Sequence, residues 1–262
     1  MDPAPPTAPA REPAAGSGAS PFRRRQGPKP TARILVFFDP KGAFASVAQK
    51  PLAVLTLALM LGFALVPAVT YVARADLRAF VDHQIKASGK ADAMTPEQRE
   101  QAVTIGAKAM TGFFPGLALV ARGAWILIAA ALSFALLRGS KPELRFAPVV
   151  GAVALAMAPL AIHDVLATIA YLSKDVMSIN GLNPVLSNPA AWLELDEKSS
   201  PLGALLKGLD LFDLWTCALI GIGINVVAGT RSSVPYVVAF GGHGFSVARA
   251  LVAAFAVSHA AS

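Results

Sequence analysis

Apolar residues along this chain gather into five long runs: Pro51 to Ala73, Phe113 to Leu137, Ala147 to Leu172, about Leu209 to Gly229, and Pro235 to His259. At about 1.5 Å per residue, each run wound as a helix is long enough to cross a hydrocarbon layer about 30 Å thick. The pattern therefore predicts an all-α polytopic membrane protein, a bundle of five transmembrane helices. The few charges inside the runs stand out. The first run has none, the second holds Arg122, and the third holds His163 and Asp164 near its end. The fourth starts with Asp210 and Asp213, and the fifth contains Gly241-Gly242-His243-Gly244 and Arg249.

The chain ahead of the first run has two characters. Residues 1–33 are mostly Pro, Ala, Gly and Ser, with too few large apolar side chains to offset the entropy of ordering, and are expected to form a disordered, basic, cytosolic tail. Its Arg23, Arg24 and Arg25 either attract anionic lipid head groups, at about 1 kcal/mol per charge, or only fix orientation. Residues 34–259 form the membrane domain. Within it, Asp39-Pro40 reads as an N-cap followed by proline at the first helical position, opening a short helix to Lys50. Phe44, Val47 and Ala48 share one face of that helix, as expected if it lies in the membrane interface.

Composition excludes an ordinary soluble domain, because 55% of residues are apolar, only 15% are charged and the mean hydropathy is +0.55. Soluble domains are about a quarter charged. The net charge of +7 does not point to nucleic acid, because the basic residues are not gathered on a folded face. They mark topology. With the N-terminus inside, the cytoplasmic pieces hold 12 Lys and Arg against 4 acids, and the two outer loops hold 9 against 9. That arrangement satisfies the positive-inside rule. Tyr71, Tyr171 and Trp215 then fall near outer ends and Tyr236 at an inner end, where amphipathic rings favour the head-group level. No secretory signal peptide is visible, so the first span is expected to direct insertion. The lone Cys217 closes no intrachain disulfide and is expected in the core.

The outer loops differ in kind. Thr95-Pro96-Glu97-Gln98 is a capping box with proline at the first position, and predicts a helix running into the second span. Asn180-Gly181, Asn183-Pro184, Asn188-Pro189 and Ser200-Pro201 predict a loop dominated by turns.

Charged groups within spans are costly and serve as functional hypotheses. Counting along ideal helices places Asp164 about 26 Å and Arg249 about 21 Å from the inner ends of their spans, with Asp213 about 6 Å and Arg122 about 13 Å from the outer ends. Arg122, Asp164, Asp213 and Arg249 are thus expected to form one ion-paired layer in the outer half of the membrane, with His163 and Asp210 at its rim. Such a layer either lines a polar cavity for an ion, a proton or a lipid head group, or clasps the helices together. Catalytic and cofactor motifs are absent: the chain has no phosphate-cradling loop, no His-Glu-x-x-His and no Cys-x-x-Cys, and no residues at metal-ligand spacing. A non-enzymatic protein without a cofactor is expected.

Two segments resemble a known family. Asp39-Pro40-Lys41-Gly42-Ala43-Phe44 with Lys50-Pro51, and Leu209-Asp210-Leu211-Phe212-Asp213-Leu214-Trp215 with Gly221, Gly223 and Gly229, resemble the entry segment and fourth-span signature of bacterial members of the Yip (Ypt-interacting protein) family. The resemblance implies a five-span helical domain with a cytosolic N-terminus. Eukaryotic members bind prenylated Rab-type GTPases and act in vesicle formation and membrane shaping. The expected role is to organise membrane or recruit partner proteins, with the bilayer, a membrane or cytosolic protein, and a second copy of the chain as the partners considered. The other reading is a small permease or channel using the charged layer. Heavy use of Ala with little Asn points to a GC-rich bacterium and its inner membrane.

Overall fold

A chain crossing hydrocarbon must satisfy its backbone hydrogen bonds within each segment, and every regular element among the described residues is helical. The computed structural model describes residues 36–49, 53–87, 89, 91–173, 184–195 and 200–260. The tail with Arg23, Arg24 and Arg25, the signature residue Pro51, and the Asn180-Gly181 turn lie outside these residues. The helices are α1 (Pro40–Gln49), α2 (Ala53–Arg74), α3 (Leu77–Ala87), α4 (Pro96–Arg138), α5 (Phe146–Ala156), α6 (Ala158–Ser173), α7 (Pro189–Trp192), α8 (Pro201–Lys207), α9 (Leu211–Ala228) and α10 (Val234–Ala260). Counting α5 and α6 together, five spans are long and apolar enough to cross a membrane. The side holding the α2–α4 and α6–α9 connections is called outer here, following the charge count.

α4 extends well beyond the membrane. The capping box forms as expected: the Gln98 N–H donates to Thr95 Oγ1 at 3.2 Å, and the Thr95 N–H donates to Gln98 Oε1 at 2.9 Å. From this cap α4 runs 43 residues, about 64 Å, so its first third stands outside the bilayer. There α3, which no local signal announced, lies antiparallel to it. Val81 fills the space that Gly106 leaves, Arg78 pairs with Glu100, and Asp82 pairs with both Arg99 and Lys86. These two cations hold the Asp82 carboxyl below its ordinary pKa. Where the hairpin enters the bundle, Tyr71 meets Tyr171, Phe114 and Phe80 with ring centroids 5.3, 5.7 and 6.2 Å apart.

The third span is broken. Pro159 cannot donate to the carbonyl of Leu155, and the Met157 N–H bonds to Ala154 O at 3.1 Å, so α5 ends at Ala156 and α6 starts at Ala158. α5 is the most buried part of the bundle and packs against α2, α4 and α9. Its Val149, Ala152, Val153, Ala154 and Ala156 are fully buried, as are Ile126, Ala129 and Ala130 of α4 and Ile220 and Ile224 of α9. All of these lie on the inner side of the charged positions.

α1 departs from the expected interfacial placement. Val36, Ala43 and Phe44 are fully buried, and α1 packs between α5 and α9. The Phe37 ring meets Trp215 edge-on at 5.2 Å, and the Phe44 ring lies where a side chain on Gly223 would stand, 2.6 Å from its Cβ position. α1 therefore runs alongside α9 through about two turns of its length. The physical reason is Gly223: an aromatic ring on an amphipathic face packs into a notch in a neighbouring helix as well as into lipid, and glycine provides the notch.

The α9–α10 pair has a fixed register. Asn225 pins the connecting loop by donating to Ser232 O and accepting from its N–H, both at 2.9 Å. Gly221 faces the Tyr236 ring, Cys217 Sγ lies 3.5 Å from Ala239 O, and Gly208 faces Val247. Gly229 does something different from the packing glycines: it closes α9 in the left-handed conformation at φ 58°, with no neighbour within 4 Å of its Cβ position.

Replacing Gly221 by Leu should drive a side chain into the Tyr236 ring and lower the melting temperature in detergent by several degrees. Gly62→Leu, at a glycine of α2 with open space around it, should leave the melting temperature unchanged, as read by thermal unfolding of the two purified variants.

Candidate functional site

Three prolines loosen the helices in the outer half. Pro67 in α2, Pro115 in α4 and Pro159 at the start of α6 each leave a backbone carbonyl one turn earlier without its usual partner. Between these helices lies a cavity of about 450 Å³, lined by Pro67 and Ala68 of α2, Arg122 and Trp125 of α4, Asp164 of α6 and Asp213 of α9, among others. α4 and α6 lack extended backbone packing against each other. What bridges them is a pair of charges.

Arg122 Nη2 lies 3.3 Å from Asp164 Oδ1 and 3.2 Å from Oδ2, with only 16% and 9% of the two side chains exposed. Guanidinium is charged at any accessible pH, so an arginine at this depth needs an anion or a route to the surface, and Asp164 supplies the anion. The contact is not the two-pronged fork of which arginine is capable. One nitrogen serves both oxygens, and only the bond to Oδ1 is aligned as a hydrogen bond. Arg122 Nη1 and Asp164 Oδ2 are shut off from solvent and make no hydrogen bond among the described residues.

Asp213 borders the same cavity, one turn into α9, in the field of Arg122, His163, His243 and Asp210. His163 Nδ1 is 4.0 Å from Asp164 Oδ1, and the His163 ring packs edge-on against Phe212 at 5.5 Å. Asp210 has a structural duty. It caps α9, its Oδ1 accepting from the Phe212 and Asp213 N–H groups at 2.9 and 3.3 Å, while Oδ2 accepts from Ser187 and Asn188. Asn188 and Ser200, expected in turns, instead cap α7 and α8. Residues 184–195 and 200–210 thus fold over the outer end of α9, and His243 ties the second stretch to α10 by donating from Nε2 to Gly208 O at 2.8 Å.

Arg249 is not brought to this group. The α9–α10 register places His243 level with the start of α9, and Arg249 stands six residues beyond His243, about 9 Å further out, exposed on α10. Counting from the inner end misplaced it because α10 has 27 residues and overtakes the 18 of α9. Of the signature positions, Leu211 is exposed, the Asp39 carboxylate accepts from the Gly42 N–H at 2.9 Å, and Pro40 opens α1. Trp125, whose ring fills the space left by Gly242, joins the cavity wall although nothing in its sequence context marked it, and Tyr171, expected only at the outer head-group level, joins it too. Below the cavity the walls close on the fully buried residues of α4, α5 and α9, with Thr56 of α2 and Ser133 of α4 buried among them.

The Yip1 domain family model matches residues 34–254, which takes in every element from α1 through most of α10. No curated protein and no solved structure matches the chain.

Asp164→Asn leaves a buried guanidinium without its anion and should cost about 3–5 kcal/mol of stability. Arg122→Met combined with Asp164→Leu removes both charges and should recover at least half of that loss. Unfolding of the single and double variants in the same detergent checks the expectation; equal losses in both would show that the pair does not hold α4 to α6.

Proposed function

Since this chain belongs to the Yip1-domain family of multi-pass membrane proteins, we propose that it is a non-enzymatic organiser of a bacterial inner membrane that works by recruiting protein partners. The observation that carries this reading over a permease is the apolar floor beneath the polar cavity. Ile126, Ala129, Ala130, Val153, Met157 and Ile220 are fully buried there. An ion or polar solute that reached Arg122 and Asp164 would have to pass about 20 Å of close-packed hydrocarbon side chains, at the desolvation cost that keeps charges out of such interiors.

The packing of α1 changes where a partner would sit. Ala43 and Phe44 face the bundle, and Phe37 reaches Trp215 one turn into α9, so this segment is taken up by the bundle itself. The cytosolic contact surface in this reading is the basic tail.

In-cell crosslinking of the tagged protein, mild-detergent purification and mass spectrometry test the proposal, run on the full chain and on one lacking residues 1–30. A near-stoichiometric partner that disappears with the tail is the expected result. A clean protein without a partner, joined to solute flux in vesicles that is abolished by neutralising Asp164 and Asp213, would establish the permease instead.

A further inference from the structure

The cavity around Arg122 and Asp164 holds unmet demands of both signs. Asp164, with 91% of its side chain buried, has Oδ2 near Arg122 Nη2 but without an aligned hydrogen bond, and Arg122 keeps Nη1 without an acceptor. Each orphaned atom in a medium without free water costs on the order of 1–3 kcal/mol, and more when the group is charged. Asp213 adds a second carboxylate, so two anions and one permanent cation border one space. A bare anion would answer Arg122 and be repelled by the two acids. A bare metal cation would answer the acids and leave Arg122 Nη1 unmet.

We propose that the cavity binds a zwitterion carrying a primary ammonium a few atoms from an anionic phosphate, the chemistry of a phosphoethanolamine head group. The ammonium donates to Asp213, and a turn of the Arg122 and Asp164 side chains toward the cavity they line lets phosphate oxygens accept from Nη1 and the ammonium donate to Oδ2. A primary ammonium has three N–H donors to give, whereas a quaternary ammonium has none, so the orphaned carboxylate oxygen selects ethanolamine over choline. The size suits such a group, since sites for small molecules begin at about 300 Å³. The remaining walls favour a lipid as its source. Ala64, Ala68, Phe114, Leu160 and Ala167 are apolar, and Ala121 on the cavity rim is exposed on the face of α4 that also presents Leu117 and Ile128 outward, where acyl chains would lie. The proposal is independent of the tail-borne partner, and failure of either leaves the other standing.

Native mass spectrometry of the delipidated full-length protein, titrated with dioleoyl phosphatidylethanolamine, phosphatidylglycerol or phosphatidylcholine, tests it. Phosphatidylethanolamine should bind at least about tenfold more tightly than either of the others, a difference of about 1.4 kcal/mol. Asp213→Asn should abolish that preference. Ala121→Trp, which plugs the rim from an exposed position, should abolish retention and covers the case in which the aspartate variant fails to fold. A parallel arm uses soluble O-phosphoethanolamine. If it competes at the same concentration as the lipid, the site recognises the head group alone and the chemistry stands with a soluble source; if it competes only far above, the lipid is the ligand. Equal retention of the three lipids, or retention unaffected by Ala121→Trp, would overturn the proposal.

Discussion

An arginine cannot shed its charge to enter hydrocarbon, and the outer half of this bundle is arranged around that constraint. Arg122 sits on a helix that must continue straight through the membrane, so its counter-ion has to come from another span. Asp164 supplies it from α6, one turn beyond the break at Pro159. The same break separates two materials. Before it, α5 is small, apolar and packed on several sides; after it, α6 carries His163, Asp164 and Tyr171 along the cavity.

Lipid offers no hydrophobic drive between helices, so the inner half has to be held by close packing. Small residues permit it. Ala and Gly on α4, α5 and α9 let helices approach, and two glycines of α9 receive aromatic rings: Gly221 takes Tyr236 and Gly223 takes Phe44. The short α9 completes the design. Because it ends at the depth of the charges, residues 184–195 and 200–210 fold in above it and are tied down by Asp210, Asn188 and His243. The result is a polar cup at one side of the membrane above a dry floor.

What the sequence revealed followed from how local each signal is. Five apolar runs, the Thr95 capping box and the helix opened by Asp39-Pro40 are written within a few residues of where they act, and each appears as a helix or a cap. Asn188-Pro189 and Ser200-Pro201 carry the same cap-then-proline grammar as Thr95-Pro96, but without an apolar run behind them they read as turns rather than as short helices. Placement was less legible. Phe44, Val47 and Ala48 make the same stripe whether they face lipid or a glycine notch on α9, so the burial of α1 depends on a residue 179 positions away. The depth of Arg249 depends on the register set by Asn225 and Ser232, and α3 is held by pairs such as Asp82 with Arg99 that form only once α4 is in place.

A blind polar cup and a continuous polar path differ in which positions water can reach from each side. With Cys217 replaced by Ala, single cysteines at Ala118, half-buried in the cavity wall, and at Ala130, fully buried in the floor, report this directly in sealed vesicles treated with a membrane-impermeant maleimide. The account predicts that Ala118→Cys is labelled from one side only and that Ala130→Cys is labelled from neither. Labelling of Ala130→Cys, or labelling of Ala118→Cys from both sides, would show that the floor is open and would contradict it.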